Sequence, residues 1–185
     1  MWRRRIGLKI KAVYPGTFDP IHLGHEDIIR RGASLVDELL VAVYDKPLKS
    51  LLFSPEDRLS LVRASVARMA LPNVTVTGYS GLTVAFCESV GAKVMVRGLR
   101  VFSDFEHEFR IALANHRLSP TIETVSLITS EEHSFLSSTS VREIASLGGD
   151  VSTMVSPPVE AALKRRFLEL GDDGGKIVSM TSLRD

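Results

Sequence analysis

The stretch Tyr14–His25, YPGTFDPIHLGH, follows the apolar run Leu8–Tyr14 and leads into a helical pattern. Its twelve residues hold two glycines, two prolines, two histidines and an aspartate. A plain turn needs two or three such residues, so the excess predicts a corner that holds a ligand. Gly16 allows close approach of the backbone or a positive φ. Pro15 and Pro20 stiffen the path. Gly24 sits at the start of the next helix, where a side chain would block access. His25 falls in the first helical turn, where free N–H groups and the helix dipole favour an anion. An imidazole there can donate a hydrogen bond to a phosphate oxygen. Plain alternatives stay open for each residue taken singly. Asp19 can brace the turn, Gly24 can serve close packing, and His22 with His25 can be a metal pair lacking a third ligand. Together, the order G-T-F-D-P-x-H-x-G-H is far more specific than a lone glycine-rich loop.

Working outward, β-rich runs alternate with helical patterns. Strands are predicted over Leu8–Tyr14, Glu38–Tyr44, Asn73–Tyr79, Ala92–Gly98 and Ile122–Thr129. Between and after them, helices are predicted over His25–Arg31, Ser54–Met69, Leu82–Gly91, Asp104–Leu118 and Ser140–Leu147, with a last one from Pro157-Pro158. Gly32 ends or interrupts the first helix. Ser54 caps the second, with Pro55 in its first turn. The fourth carries Phe105, Phe109, Ala112, Leu113 and His116 along one stripe. This alternation implies right-handed βαβ crossovers. The expected fold is α/β, a Rossmann-like doubly wound five-stranded parallel sheet in a single domain with C-terminal helices. Ligands of such sheets bind beyond the carboxyl ends of the strands, where the strand order reverses. The unusual segments do follow strands: PGTFDPIHLGH, DKPLKS, RGLR and SEEHSFLSSTS.

The chain has 185 residues, 44% of them hydrophobic and 24% charged, which suits one soluble domain. A net charge of +1 makes no global demand for nucleic acid or membrane. The single cysteine, Cys87, excludes an intramolecular disulfide and reads as a core residue. No apolar run approaches the ~20 residues of a membrane span. The basic start MWRRRIGLKIK lacks the apolar stretch of a signal peptide. The expected layout is a leader over 1–10, one domain over 11–168 and a fraying tail over 169–185, in a cytoplasmic protein.

The corner resembles the (T/H)xGH signature of the nucleotidyltransferases, which transfer a nucleoside monophosphate from a nucleoside triphosphate. VRGLRVFSDFEHEFRIALANHRL resembles the RGLR and DFEYE segments of bacterial phosphopantetheine adenylyltransferases, and HSFLSSTSVRE resembles their WSFISSS loop and following helix. The resemblance runs from about Ala12 to Phe167. It implies transfer of the adenylyl group of ATP to 4′-phosphopantetheine, giving dephospho-coenzyme A and pyrophosphate by direct in-line attack. The nucleophile is a phosphate oxygen already ionised at neutral pH, so no general base is needed. The catalytic set it implies is Thr17, His25, Lys49 and Arg100. Thr17, Lys49, Thr83 and Arg97 are then the acceptor-binding positions. Thr17, Phe18, His25, Gly98, Leu99, Arg100 and Glu108 face ATP. So do His133, Ser134, Phe135 and Leu136, followed by the hydroxyl run Ser137, Ser138 and Thr139. Ser140 and Glu143 also have the spacing of an ordinary capping box. His107 stands where the pattern has tyrosine, and His133 where an aromatic residue is common. SSTSVRE is also similar to the ISSTxIR motif of mononucleotide adenylyltransferases, so that activity is the alternative. A non-catalytic nucleotide-binding module is a third reading. Further expectations from the resemblance are Mg²⁺ arriving with ATP, coenzyme A as a feedback ligand, and a homo-oligomer, a hexamer. No metal site built by protein residues alone is expected, and no nucleic-acid or membrane partner.

Overall fold

Short runs that are apolar on successive residues belong in a parallel sheet covered on both faces, and ELLVAVY is such a run. A computed structural model describes residues 9–47, 51–100 and 102–171. Residues 1–8 of the basic leader, Lys49 and the tail beyond residue 171 lie outside the described residues. The strands are β1 Lys11–Gly16, β2 Glu38–Tyr44, β3 Val74–Tyr79, β4 Val94–Leu99 and β5 Glu123–Ile128. The helices are α1 Leu23–Leu35, α2 Pro55–Met69, α3 Thr83–Ser89, α4 Phe102–Leu118, α5 Ser138–Ser146 and α6 Pro157–Leu170. A single 3₁₀ turn, Glu131–His133, precedes α5.

The five strands are all parallel, in the order β3-β2-β1-β4-β5. The direction of winding therefore reverses between β1 and β4. Those two strands pair only at Ala12–Val94 and Val13–Met95. Beyond them, Pro15 has no N–H for the ladder, and β1 continues against β2 alone as far as Gly16–Val43. A crevice therefore opens at the carboxyl ends of β1 and β4.

Alternation along β2 divides the core. Leu39, Val41 and Val43 join the larger cluster with α1, α2, α5 and α6 residues, while Leu40 and Ala42 join Val84, Cys87 and Met95 on the other face. Cys87 is fully buried, as expected.

Two local expectations change. Helix α1 begins two residues early and passes straight through Gly32 to Leu35. A methyl group at Gly32 would only touch Leu39, Val96 and Leu127, at 3.5 to 3.9 Å, so this glycine lies against the sheet rather than breaking the helix. Helix α5 is capped by Ser137, whose hydroxyl accepts from the Ser140 amide at 2.9 Å, so Ser140 is not the cap. Leu136 and Val141, both buried, take the positions of a hydrophobic staple around that cap. The apolar stripe of α4 lies outside the core: Phe105, Phe109 and Leu113 are all exposed.

Arg58 ties the crevice to α2. It is 0% exposed and donates to the carbonyls of Thr17 at 2.7 Å, Tyr44 at 2.6 Å and Asp45 at 3.2 Å. Replacing it with methionine leaves three carbonyls without that donor. Arg58→Met is expected to lower unfolding stability by about 3 kcal/mol. Urea denaturation checks this as a lower midpoint at unchanged slope.

Candidate active site

The crevice is a cleft of about 910 Å³. Residues 14–19 and 22–28 supply one wall, the end of β4 and the start of α4 supply another, and the start of α5 closes it. Of the residues singled out from sequence, Thr17, Phe18, His25, Arg97, Gly98, Arg100, Glu108, Ser137, Ser138 and Thr139 all line this one space. Thr83, Leu99 and residues 133–136 do not. Thr83 opens α3, with its hydroxyl 3.0 Å from that of Tyr79. Leu136 is buried, and its carbonyl accepts from Arg100 Nη1 at 3.0 Å. Ser134 folds its hydroxyl onto the Glu131 carbonyl at 2.8 Å, and Phe135 is exposed. Lys49 lies outside the described residues.

The corner after β1 is built around two rings. Phe18 adopts a left-handed φ of 52°, which costs a non-glycine residue roughly 1 kcal/mol. Its buried ring then meets Tyr14 edge-on at 5.5 Å and His25 at 5.0 Å. Gly16 is needed for that ring rather than for a positive φ, because a Cβ there would lie 2.7 Å from Phe18 Cζ. Gly24 has a similar duty: its Cβ would lie 3.1 Å from the His22 ring.

His22 and His25 stack at 3.7 Å between ring centroids. The His22 amide donates to His25 Nδ1 at 3.2 Å. A neutral His25 therefore carries its proton on Nε2 and keeps one donor. Burial, with Arg100 and Arg97 adding to it, pushes His25 down to about 3. His22 is pushed well below the ordinary histidine value by burial, and further by His25, Arg100 and His133. Neither ring carries charge at neutral pH, so the pair is a neutral donor site.

The cations come from the end of β4 and the residue after it. Arg97 grips Glu108 with Nε to Oε2 at 2.7 Å and Nη2 to Oε1 at 2.6 Å, and gives Nη1 to the Pro15 carbonyl at 3.1 Å. Arg100 grips Asp104 more loosely, at 3.0 and 3.3 Å. Planar guanidinium forks of this kind match carboxylate or phosphate oxygens.

Sequence reasoning passed over two buried side chains that organise the site. One is Arg58, described above. The other is Arg142, which donates through Nη1 to the carbonyl of Asp19 and lies 3.4 Å from its Oδ2. Asp19 in turn accepts the amides of Leu52 at 2.9 Å and Phe53 at 3.0 Å. The brace reading of Asp19 is therefore correct, and the brace spans three segments. Arg142 gave one signal, its place within SSTSVRE, but a surface arginine on a helix looks the same in sequence.

Comparison with known proteins follows the same line. The family model described as cytidylyltransferase-like matches residues 13–144. The phosphopantetheine adenylyltransferase of Thioalkalivibrio sulfidiphilus is 51% identical over 160 residues, covering 86% of this chain and 99% of that one. That of Herpetosiphon aurantiacus is 49% identical over 156 residues, covering 84% and 93%. Among solved structures, a Vibrio parahaemolyticus protein described as a nicotinate-nucleotide adenylyltransferase superposes with a TM-score of 0.65 at 23% identity, covering 85% of this chain and 99% of that chain. At that identity the likeness carries the fold alone.

The depressed histidines give the protein an acid limit. In the unfolded chain a histidine binds a proton near 6.5, whereas folded His25 binds one only near 3. Between those values the unfolded state holds more protons, so stability falls as pH drops from 6.5 towards 3 and is unaffected by this residue above 6.5. His25→Asn is expected to flatten that decline, by up to about 1.4 kcal/mol per pH unit. Urea midpoints of both proteins from pH 8 to pH 4 measure it.

Proposed function

The chain belongs to the phosphopantetheine adenylyltransferases, and from that premise we propose that it joins the adenylyl group of ATP to 4′-phosphopantetheine, releasing dephospho-coenzyme A and pyrophosphate. The observation that carries the reading is the convergence of Thr17, His25, Arg97, Arg100 and Ser137–Thr139 on one cleft where the sheet changes direction.

The chemistry asks for little more than alignment and charge. A phosphate oxygen of the acceptor attacks the α-phosphorus of ATP and forms a new P–O bond. The bond from that phosphorus to the oxygen bridging to the β-phosphate breaks, and the electron pair leaves with pyrophosphate. In our reading the neutral His25 donates its Nε2–H to an α-phosphate oxygen as charge shifts there. Thr17 donates its hydroxyl where the acceptor phosphate and the nucleotide meet. Arg100 faces the triphosphate, and Arg97 and Lys49 face the acceptor. Ser137, Ser138 and Thr139 offer hydroxyls and amides at the start of α5, where the helix dipole favours an anion. Phe18, Gly98 and Leu99 contribute backbone to the nucleotide side. Glu108 faces the ATP side of the cleft, and in this reading the 133–136 segment and Thr83, which do not line the cleft, extend the ATP and acceptor sides beyond it.

Mg²⁺ belongs to this reading as a companion of the triphosphate. Asp19, Asp104 and Glu108, the carboxylates lining the cleft, are each engaged by an arginine. Among the described residues no group of three metal-ligating side chains comes together. With these carboxylates paired to arginines, the residues do not fit a protein-built cage. Coenzyme A is proposed as a feedback ligand of the same cleft, since it shares both halves of the product. The reading also places the enzyme in the cytoplasm; among the described residues no helix is long and apolar enough to cross a membrane.

We also propose a homo-oligomer, with six copies as the assembly. The support is the exposed face of α4: Phe105, Phe109 and Leu113 are each more than half exposed, and Phe105 and Phe109 stack at 5.9 Å. The edge strand β5 also exposes Val125 and Ile128, one on each face. Monomers seldom leave such a patch uncovered.

Three measurements test these proposals. Pyrophosphate release from ATP is expected with 4′-phosphopantetheine, and absent with nicotinate mononucleotide, nicotinamide mononucleotide or ATP alone. His25→Ala is expected to cut turnover roughly 10²-fold, the scale of one preorganised donor; near-normal turnover refutes its role. In analytical ultracentrifugation the wild type is expected to sediment as an oligomer and Phe109→Lys as a smaller species. A monomeric wild type refutes the assembly.

A further inference from the structure

Three carbonyls converge on Arg58, and one of them belongs to the cleft corner. Nη1 donates to Thr17 and to Tyr44, and Nη2 donates to Asp45. Tyr44 ends β2, so Arg58 holds the Thr17 carbonyl against the carboxyl end of that strand. Arg58 is 0% exposed and does not line the cleft, whereas Thr17 does. The Thr17 carbonyl is thus drawn to a donor behind the cleft wall.

The same peptide unit ends in the amide of Phe18. In a trans peptide the C=O and the N–H point in opposite directions. A carbonyl turned inward to Arg58 therefore sends the Phe18 N–H the other way. Phe18 is 2% exposed and lines the cleft, and its amide donates to no other described residue. Buried amides almost always have a partner, so one left over on a cleft wall marks a place for a ligand's acceptor atom.

Backbone preference does not hold this arrangement. At φ 52° Phe18 sits in a region that a non-glycine residue keeps only when its surroundings fix it. The ring is fixed by Tyr14 and His25. The peptide plane ahead of it is fixed by Arg58. A guanidinium is costly to bury. What it offers over a water molecule or a hydroxyl is a rigid plane of donors, which sets the direction of each carbonyl it takes.

We propose that Arg58 is a positioning residue for the reaction: by holding the Thr17 carbonyl inward, it aims the Phe18 N–H into the cleft as a preorganised donor to a nucleotide phosphate. This rests on the adenylyltransferase reading above, in which Phe18 meets the nucleotide through its backbone. A donor already oriented needs no rearrangement as charge builds on the phosphate.

The test is steady-state pyrophosphate release with ATP and 4′-phosphopantetheine each varied, for wild type, Arg58→Met, Arg58→Lys and Val159→Ala. Thermal melts run alongside, and rates are taken well below every melting temperature. Val159 is a fully buried residue of α6 that does not line the cleft, so its truncation controls for lost stability alone. Arg58→Met is expected to lower kcat/KM for ATP about tenfold, the low side of losing one preorganised donor, and to leave the acceptor KM within about twofold. Val159→Ala is expected to melt earlier and to keep the wild-type constants. Arg58→Lys can still donate to the Thr17 carbonyl. It should fall between, and it serves as the test if the methionine variant does not fold. Arginine variants that melt earlier with unchanged kinetic constants make Arg58 a strut and overturn the proposal, as does a change confined to the acceptor KM. A wild type inactive with 4′-phosphopantetheine overturns the underlying reading first, and this inference falls with it.

Discussion

The carboxylate of Asp19 holds three pieces of chain at one point. Its two oxygens take the amides of Leu52 and Phe53, and the guanidinium of Arg142 takes its carbonyl and approaches Oδ2. Asp19 is 2% exposed and Arg142 equally so, so neither charge has water to fall back on. A buried pair of this kind adds little net stability, but losing one partner is costly. Its use here is geometric. The corner after β1 and the start of α5 carry different parts of the cleft wall, and neither is adjacent in sequence to the other or to the segment ahead of α2.

Around that anchor the site solves an electrostatic problem in advance. Two polyanions must meet, so positive potential has to be in place before they arrive. A desolvated, unpaired arginine would be expensive to keep. The cleft stores its cations as carboxylate pairs along α4 and keeps its histidines neutral. Neutral His25 has a further merit. Its Nδ1 is occupied by the His22 amide, so its one proton is on the nitrogen that can still donate. Preorganised donors of this type require no rearrangement when charge develops.

Much of this was legible in the residues, and the failures are instructive. The cap at Ser54 was read correctly because Ser-Pro at a helix start is a local signal, complete within four residues. Gly32 was misread as a break because a glycine's effect depends on what faces it, here Leu39, Val96 and Leu127. Ser137 rather than Ser140 became the cap because buried Leu136 sets where the chain enters α5, and burial is not a local property. The stripe on α4 was read as a stripe, and the structure leaves Phe105, Phe109 and Leu113 along it exposed. Periodicity reports that a face is apolar but not what covers it.

The sequence by itself determined the alternating strands and helices, the glycine and proline corner after the first strand, and the chemical types gathered there. Those are encoded within windows of ten to twenty residues, where backbone preference and periodicity act. Only the tertiary structure decided that β1 and β4 part after two paired positions, that Arg97 lends its side edge to Glu108, and that Arg58 and Arg142 are buried struts instead of surface charges. The reason is physical. A charged side chain's role is set by its desolvation and its partners, and here those partners lie 11 to 123 residues away.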